Sequence, residues 1–211
     1  MVDVAGAWAR QIAARGGIHV PIVPTLHQVF ITEPIAGVRP ELPIVRVMDA
    51  AVYVRPCWGG FLAGGYERTP TQFDMDQLPR TFSIADTPLD LATLHRLMDG
   101  VRDQFPVLQR PRIRVHRGGI PTMTPDGQHI VGPVPGADGL FVASGCNVAG
   151  LSVSPAIGEE LAHWIVEGRP TEDLGAMSIE RFGPEWRDES HLRRAAAWEY
   201  WHFYSDAPRT R

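Results

Sequence analysis

Glycine and proline set the grain of this chain: 21 glycines and 19 prolines are spread through 211 residues. Glycine admits left-handed backbone, and proline has no amide hydrogen to give to a helix or a ladder. Runs between these breaks are too short for a bundle of long helices, so an α+β fold is expected, an antiparallel or mixed sheet with flanking helices. Residues 7–15 (AWARQIAAR) read as a short helix stopped by Gly16 and Gly17. Residues 18–34 are rich in β-branched side chains with proline interruptions and read as one long bent strand or two strands. Further strands are expected at 42–47, 51–56 and 60–67, then near 112–117, 128–132 and 138–144. Thr87-Pro88 opens an expected helix running to about Phe105. A second helix is expected from about 150 to 167, with Val153, Ile157, Leu161 and Ile165 as its buried stripe. The charged, aromatic segment 185–204 can form a helix, but its tryptophans and tyrosines look under-buried.

Charge and cysteine content remove several functional classes. The net charge is −4, with no lysine, so nothing points to nucleic acid as a partner and no lysine can serve in catalysis. Cys57 and Cys146 stand far apart outside any Cys-x-x-Cys pattern, which argues against a disulfide scaffold or zinc site. His116, His129 and His163 have no metal-binding spacing. The first residues lack a basic and apolar leader, and no apolar run approaches a membrane span. A cytoplasmic protein without membrane partners is the expectation.

Three segments can carry chemistry. Residues 139–158 (GLFVASGCNVAGLSVSPAIG) place a short strand, a glycine-interrupted loop and a helix start in succession. Glycine lets backbone approach a planar ligand, and a helix start offers unpaired N–H groups to an electronegative edge. On its own the segment better suits a glycine-rich turn in a packed core. Residues 118–132 (GGIPTMTPDGQHIVG) contain the turn Thr124-Pro125-Asp126-Gly127, which taken alone is a plain hairpin turn. Ala5-Gly6-Ala7-Trp8 follows a strand-like start and again directs N–H groups toward a ligand. Two polar residues stand out in the expected sheet, His27 and Tyr53. On neighbouring strands they can bracket a small amine, one accepting a proton and one giving a hydrogen bond, although each residue type is more often a satisfied core or surface group. Arg55 can clamp a carboxylate bidentately, or form a surface ion pair.

Taken in order and at these separations, AGAW at 5–8, VPIVPTLHQVFITEP at 20–34, VYVRPCWGGFLAGGYE at 52–67, the 118–132 segment, residues 139–168 and DLGAMSIERF at 173–182 resemble one family. It is the D-amino-acid-oxidase-like FAD oxidoreductases, in particular the dimethylglycine and sarcosine dehydrogenase and oxidase branch. The resemblance implies FAD-dependent oxidation, with N-demethylation, of a small secondary or tertiary amine. It implies that Gly6 lies along the FAD, and that Thr124, Pro125, Asp126 and the loop of Gly145, Asn147, Val148, Ala149, Gly150 and Leu151 face the isoalloxazine. His27 and Tyr53 then stand at the substrate end as catalytic residues, with Arg55 binding substrate.

Two departures shape the expectation. The Gly-x-Gly-x-x-Gly turn that grips pyrophosphate in this family has no counterpart in the sequence. The attachment cysteine of monomeric sarcosine oxidases falls at about Gly119, so non-covalent FAD is expected here. The resemblance therefore implies the C-terminal remnant of a Rossmann-like FAD domain, with a complementing N-terminal FAD-binding segment or chain as partner. Residues 1–182 are expected to form a partial oxidoreductase domain, with 18–111 as substrate-binding sheet and 1–17 and 112–170 facing the flavin. Residues 183–211 are expected as a tail toward a folate-type domain, with tetrahydrofolate a cofactor of longer homologues. Other expectations the sequence leaves open are a truncated, non-catalytic fragment unable to bind FAD alone and another amino-acid oxidase of the same fold.

Overall fold

The computed structural model describes residues 1–205. Its elements in chain order are β1 (Val2–Asp3), α1 (Ala9–Ala14), β2 (Val23–Pro24), β3 (His27–Thr32), β4 (Val45–Val47), β5 (Val52–Cys57), β6 (Gly60–Gly65) and α2 (Leu91–Asp99). They continue with β7 (Ile113–Gly119), β8 (Thr122–Met123), β9 (Ile130–Pro133), β10 (Phe141–Ser144), α3 (Gly150–Glu167) and α4 (Glu189–Trp201). The architecture is α+β with mainly antiparallel pairing, as the glycine and proline spacing requires. The chain forms two compact units, one from Met1–Thr25, Gln72–Arg80 and Pro121–Glu199, the other from Leu26–Thr71, Thr81–Ile120 and the stretch from Tyr200 onward. The segment 18–111 thus contributes to both.

The first unit holds a three-stranded sheet of order β1-β10-β9, in which β1 runs parallel to β10 and β10 antiparallel to β9. A two-stranded ribbon pairs β2 with β8. Ala9 and Ala13 of α1 pack with Val20, Ile22, Ile130, Val142 and Ile179 in its core. The helix expected from 150 to 167 forms as α3, but its buried stripe is rotated from the expectation. Glu160 and Leu161 are buried, Val153 and Ile157 are half-buried, and Ile165 is 48% exposed. Two contacts explain the rotation. Trp164, not Ile165, meets the sheet, edge-on to Phe141 and against Gly132, where a Cβ would lie 3.0 Å from the indole. The Glu160 carboxylate accepts from the backbone N–H groups of Thr171 (2.7 Å) and Glu172 (3.1 Å), which holds the next loop.

The second unit is a five-stranded antiparallel sheet of order β4-β5-β6-β3-β7 with α2 on one face. Leu94 and Met98 of α2, with Val101 and Leu108 beyond it, pack on Phe30, Val52, Val54 and Ala63. This helix is shorter than the 87–105 expectation. Thr87 stays extended (φ −61°, ψ 125°), as a residue before proline must, and Asp90 is the cap, accepting from the N–H of Ala92 at 2.9 Å. Gly100 ends it. The stretch 18–34 resolves into two strands, β2 and β3, in different sheets. Of the strand expected at 42–47, only Val45–Val47 pairs, because Pro43 has no N–H to add to the ladder.

The segment 185–204 is helical over α4, and its burial corrects the expectation. Leu192, Ala196 and Tyr200, spaced four apart, are each fully buried. The part of the expected tail at 206–211 lies outside the described residues.

The α2 packing sets a stability test. Replacing the fully buried Leu94 by alanine is expected to cost about 2–5 kcal/mol. Urea unfolding should show a lower midpoint with an unchanged slope.

Candidate functional site

In the second unit His27 (β3) and Tyr53 (β5) are not on neighbouring strands as expected; β6 lies between them, so their side chains must meet across it. Tyr53 is paired with Gly64, which is paired in turn with Val29. The absence of a side chain at Gly64 makes the meeting possible. A Cβ there would lie 2.6 Å from the Tyr53 hydroxyl and 2.7 Å from Val29 Cγ1.

His27 Nε2 lies 2.8 Å from the Tyr53 hydroxyl and Nδ1 lies 2.8 Å from the Tyr200 hydroxyl. Tyr200 donates its proton to Glu67 Oε2 at 2.9 Å. Rings enclose the imidazole on three sides: Tyr53 stacked at 5.9 Å, Tyr66 tilted at 5.0 Å and Tyr200 edge-on at 5.7 Å. Tyr66 also stacks on Phe203 at 4.5 Å. Burial in this box pushes His27 down to about 4, so the imidazole is neutral at pH 7. Burial pushes the Tyr53 phenol up, the neighbouring Tyr204 adds to this and Arg55 opposes it. Burial raises the Glu67 carboxyl too, against the hydrogen bonds it accepts from its own backbone and from Tyr200. Arg55 sits two residues along β5 from Tyr53, hence on the same face, and its guanidinium donates to the carbonyl of Pro56 at 3.3 Å.

In the first unit the expected flavin-facing residues form one cross-linked pair of loops. The buried Asn147 side chain does the linking. Its Oδ1 accepts from the Thr124 N–H at 2.9 Å and its amide donates to Gly145 O at 2.7 Å. Thr122 holds the same loop, its carbonyl accepting from the Asn147 N–H (2.9 Å) and its hydroxyl from the Cys146 N–H (3.1 Å). Thr124 gives its hydroxyl to Gln128 O at 2.9 Å, closing the Thr124–Gly127 turn. Pro125 within the turn is buried. The side chains of Thr124 and Asn147 are therefore engaged within the protein, and what the loop offers outward is backbone.

Arg181 locks the turn from outside. Its guanidinium grips both carboxylate oxygens of Asp126 (2.6 and 3.1 Å) and donates to the carbonyls of Gln128 and Ser178 (2.9 Å each). Burial pushes the Asp126 carboxyl up, and the Arg181 bonds and charge outweigh it, leaving the group below its ordinary range.

The loop itself is strained. Asn147 (φ 43°) and Val148 (φ 62°) are both left-handed, a costly state for a β-branched residue. Ala149 then begins α3 with no side chain capping its first N–H groups, and Leu151 is 93% exposed. Gly150 is required because a Cβ there would lie 2.7 Å from that of Cys146. Gly6 (φ 54°) opens a single turn after β1, with open space where a side chain would be. Beside it, Asp3 is buried with Oδ1 accepting from the Ala5 N–H (3.1 Å) and Oδ2 without a partner.

Sequence reasoning missed Tyr66, Glu67, Tyr200 and Arg181. Tyr66 and Glu67 close the GFLAGGYE stretch directly after β6. The four-residue spacing of Leu192, Ala196 and Tyr200 was the available sign that Tyr200 points inward.

Residues 1–164 match the DAO family of FAD dependent oxidoreductases. The chain is 34% identical over 199 residues to mitochondrial sarcosine dehydrogenase of Mus musculus, covering 94% of this chain and 21% of that protein. It is 28% identical over 208 residues to mitochondrial dimethylglycine dehydrogenase of Mus musculus, covering 95% of this chain and 24% of that protein. Among solved structures, glycine oxidase from Geobacillus kaustophilus aligns with a TM-score of 0.68 at 25% identity, over 86% of this chain and 45% of that one. The chain thus spans between a fifth and a quarter of the two curated relatives.

Two measurements check this geometry. Asn147→Ala should leave the buried Thr124 N–H without an acceptor and cost about 1–3 kcal/mol in a thermal or urea melt. His27 carries a depressed value in the fold, so the unfolded chain binds the extra proton as pH falls from about 6.5 toward 4. Stability contributed by the neutral imidazole is full above that window and is lost within it, by up to about 3 kcal/mol. His27→Gln should flatten this part of the stability–pH curve relative to wild type.

Proposed function

The chain belongs to the DAO family of FAD-dependent oxidoreductases, and we propose that it supplies the substrate-facing and isoalloxazine-facing parts of an enzyme oxidising a small secondary or tertiary amine, such as sarcosine or dimethylglycine. The observation that carries the substrate class is the neutral Tyr53–His27 pair. An amine yields hydride from its adjacent carbon only when its nitrogen lone pair is free. A neutral imidazole behind a phenol can accept the proton that blocks it. Arg55, on the face of β5 that carries Tyr53, suits the carboxylate of an N-methyl amino acid.

The cofactor fits the first unit on three observations: the uncapped start of α3, the left-handed Asn147–Val148 backbone, and the open space beside Gly6. Backbone N–H groups of Val148, Gly150 and Leu151 in the 145–151 loop, and the turn Thr124, Pro125 and Asp126, would hold the isoalloxazine, with the N–H groups toward its electronegative edge. Gly6 would lie along the rest of the cofactor. FAD supplies the two-electron acceptor when bound; the protein's part is to position the amine and take its proton.

The adenine end is read as gripped by sequence other than these residues, in keeping with the small share of the relatives that the chain spans. A second reading follows from α3, where Leu151, Ile165 and Val166 are exposed: the 211 residues by themselves hold FAD weakly and do not turn over amines.

The test is to add FAD to the purified chain, record visible absorbance and thermal shift, and then add sarcosine or dimethylglycine without oxygen. Bleaching of bound flavin that Tyr53→Phe slows by on the order of 100-fold supports the amine oxidation. A colourless chain supports the second reading, and a flavin-loaded chain that no N-methyl amine bleaches rejects the substrate class.

A further inference from the structure

The hydrogen bonds behind Tyr53 run in one direction. Tyr200 has one hydroxyl proton and gives it to Glu67, whose carboxylate only accepts. Tyr200 must therefore accept from His27, which places the imidazole proton on Nδ1. A neutral imidazole has one N–H, so Nε2 accepts from Tyr53. The Tyr53 oxygen keeps its lone pairs for a donor in front of it. Each of the three links is 2.8–2.9 Å long.

We propose that Tyr53, His27, Tyr200 and Glu67 form a proton relay that deprotonates the substrate amine, with Glu67 as the terminal acceptor and Tyr200 as the residue that sets the His27 tautomer. This deepens the amine-oxidation reading and rests on it. In the step, an N–H bond of the substrate ammonium breaks and its electron pair stays on nitrogen. The proton goes to Tyr53 O while the Tyr53 proton passes to His27 Nε2. The Nδ1 proton passes to Tyr200, and the Tyr200 proton to Glu67 Oε2. Ammonium and carboxylate become amine and carboxylic acid, so charge is conserved and no ring is left ionised. Glu67 is only half-buried and can return the proton to water. His27 leaves the step protonated on Nε2.

The surroundings favour this over a charged intermediate. Three aromatic rings enclose His27, and among the described residues its hydrogen bonds go to tyrosines and not to a carboxylate that would stabilise an imidazolium. Among the described residues, the charged groups near the row are Asp90 and Arg96 toward Glu67, Arg55 toward Tyr53, and Arg46 toward Tyr66 and Tyr204. None interrupts the row of hydrogen bonds. Tyr200 and Glu67 are positioning and proton-accepting groups remote from the reacting carbon, so their effect must appear in proton handling.

Two experiments test the relay, and the first needs no turnover. Nitrogen-15 NMR of the histidine side chains in the 211-residue chain should show His27 as the Nδ1–H tautomer. Tyr200→Phe should switch it to Nε2–H. A wild-type Nε2–H tautomer, or no change in a folded Tyr200→Phe chain, overturns the relay, and the wild-type spectrum decides even if the variant does not fold. The second experiment uses flavin-loaded enzyme and sarcosine. Glu67→Gln should lower kcat/KM on the order of 100-fold near pH 7. The loss should shrink as pH rises toward about 10, where an alkyl amine arrives already neutral. A loss that is constant across pH means a structural role and rejects the relay. If wild type oxidises no N-methyl amine, the amine reading and the relay's part in it both fall, while the NMR result still judges the hydrogen-bond chain.

Discussion

Desolvation of one imidazole governs the second unit. His27 is shut into tyrosine rings that leave it neutral, and a neutral ring needs one donor and one acceptor partner to be satisfied. Tyr53 and Tyr200 meet that need from opposite sides, each from a different part of the chain. The five-stranded sheet brings β3 and β5 to either side of β6, and α4 carries Tyr200 to its place. Protonate the ring and Nε2 becomes a donor, so the link to Tyr53 reverses and the row no longer runs one way. The order of strands and the chemistry of the site are thus the same fact seen at two scales.

The first unit solves a different problem, presenting backbone rather than side chains. Asn147 spends its amide on the neighbouring turn and strand end, which is what holds a left-handed valine beside it. Left-handed backbone at a β-branched residue costs about 1–3 kcal/mol, and it persists only when surrounding bonds over-determine it. The Asn147, Thr122 and Thr124 bonds on one side and the Arg181–Asp126 fork on the other supply that rigidity. A loop so held keeps its N–H groups fixed in space, which suits a rigid planar partner better than a flexible one.

Much of this was legible in the residues. Glycine and proline spacing gave the α+β class, and α3 begins and ends where its glycines and apolar run predict. His27 and Tyr53 were readable as a pair because both sit in β-rich stretches. The misses have physical causes. The start of α2 was misplaced because Thr-Pro looks like a helix opening, while the residue before proline is held extended and Asp90 is the better cap. The α3 stripe was misplaced because periodicity cannot weigh Trp164 against Ile165, nor foresee that Glu160 is buried by three acceptor contacts. Tyr200 lies 173 residues from His27, a separation at which no local pattern carries information. The Arg181–Asp126 fork, 55 residues apart, was hidden for the same reason.

The missing side chain at Gly64 carries a consequence for how such a chain can change over time. A methyl group there collides with the Tyr53 hydroxyl and with Val29. Substitution at 64 is therefore damaging while tyrosine stands at 53 and valine at 29, and tolerable only after both side chains have been reduced or moved. The reverse order meets no such obstacle. A lineage that lets positions 53 and 29 make room can then fill position 64, and from that state the tyrosine cannot return in one step. The two positions are bound to an order of replacement, and loss of the phenol becomes hard to reverse once the groove beside it has closed.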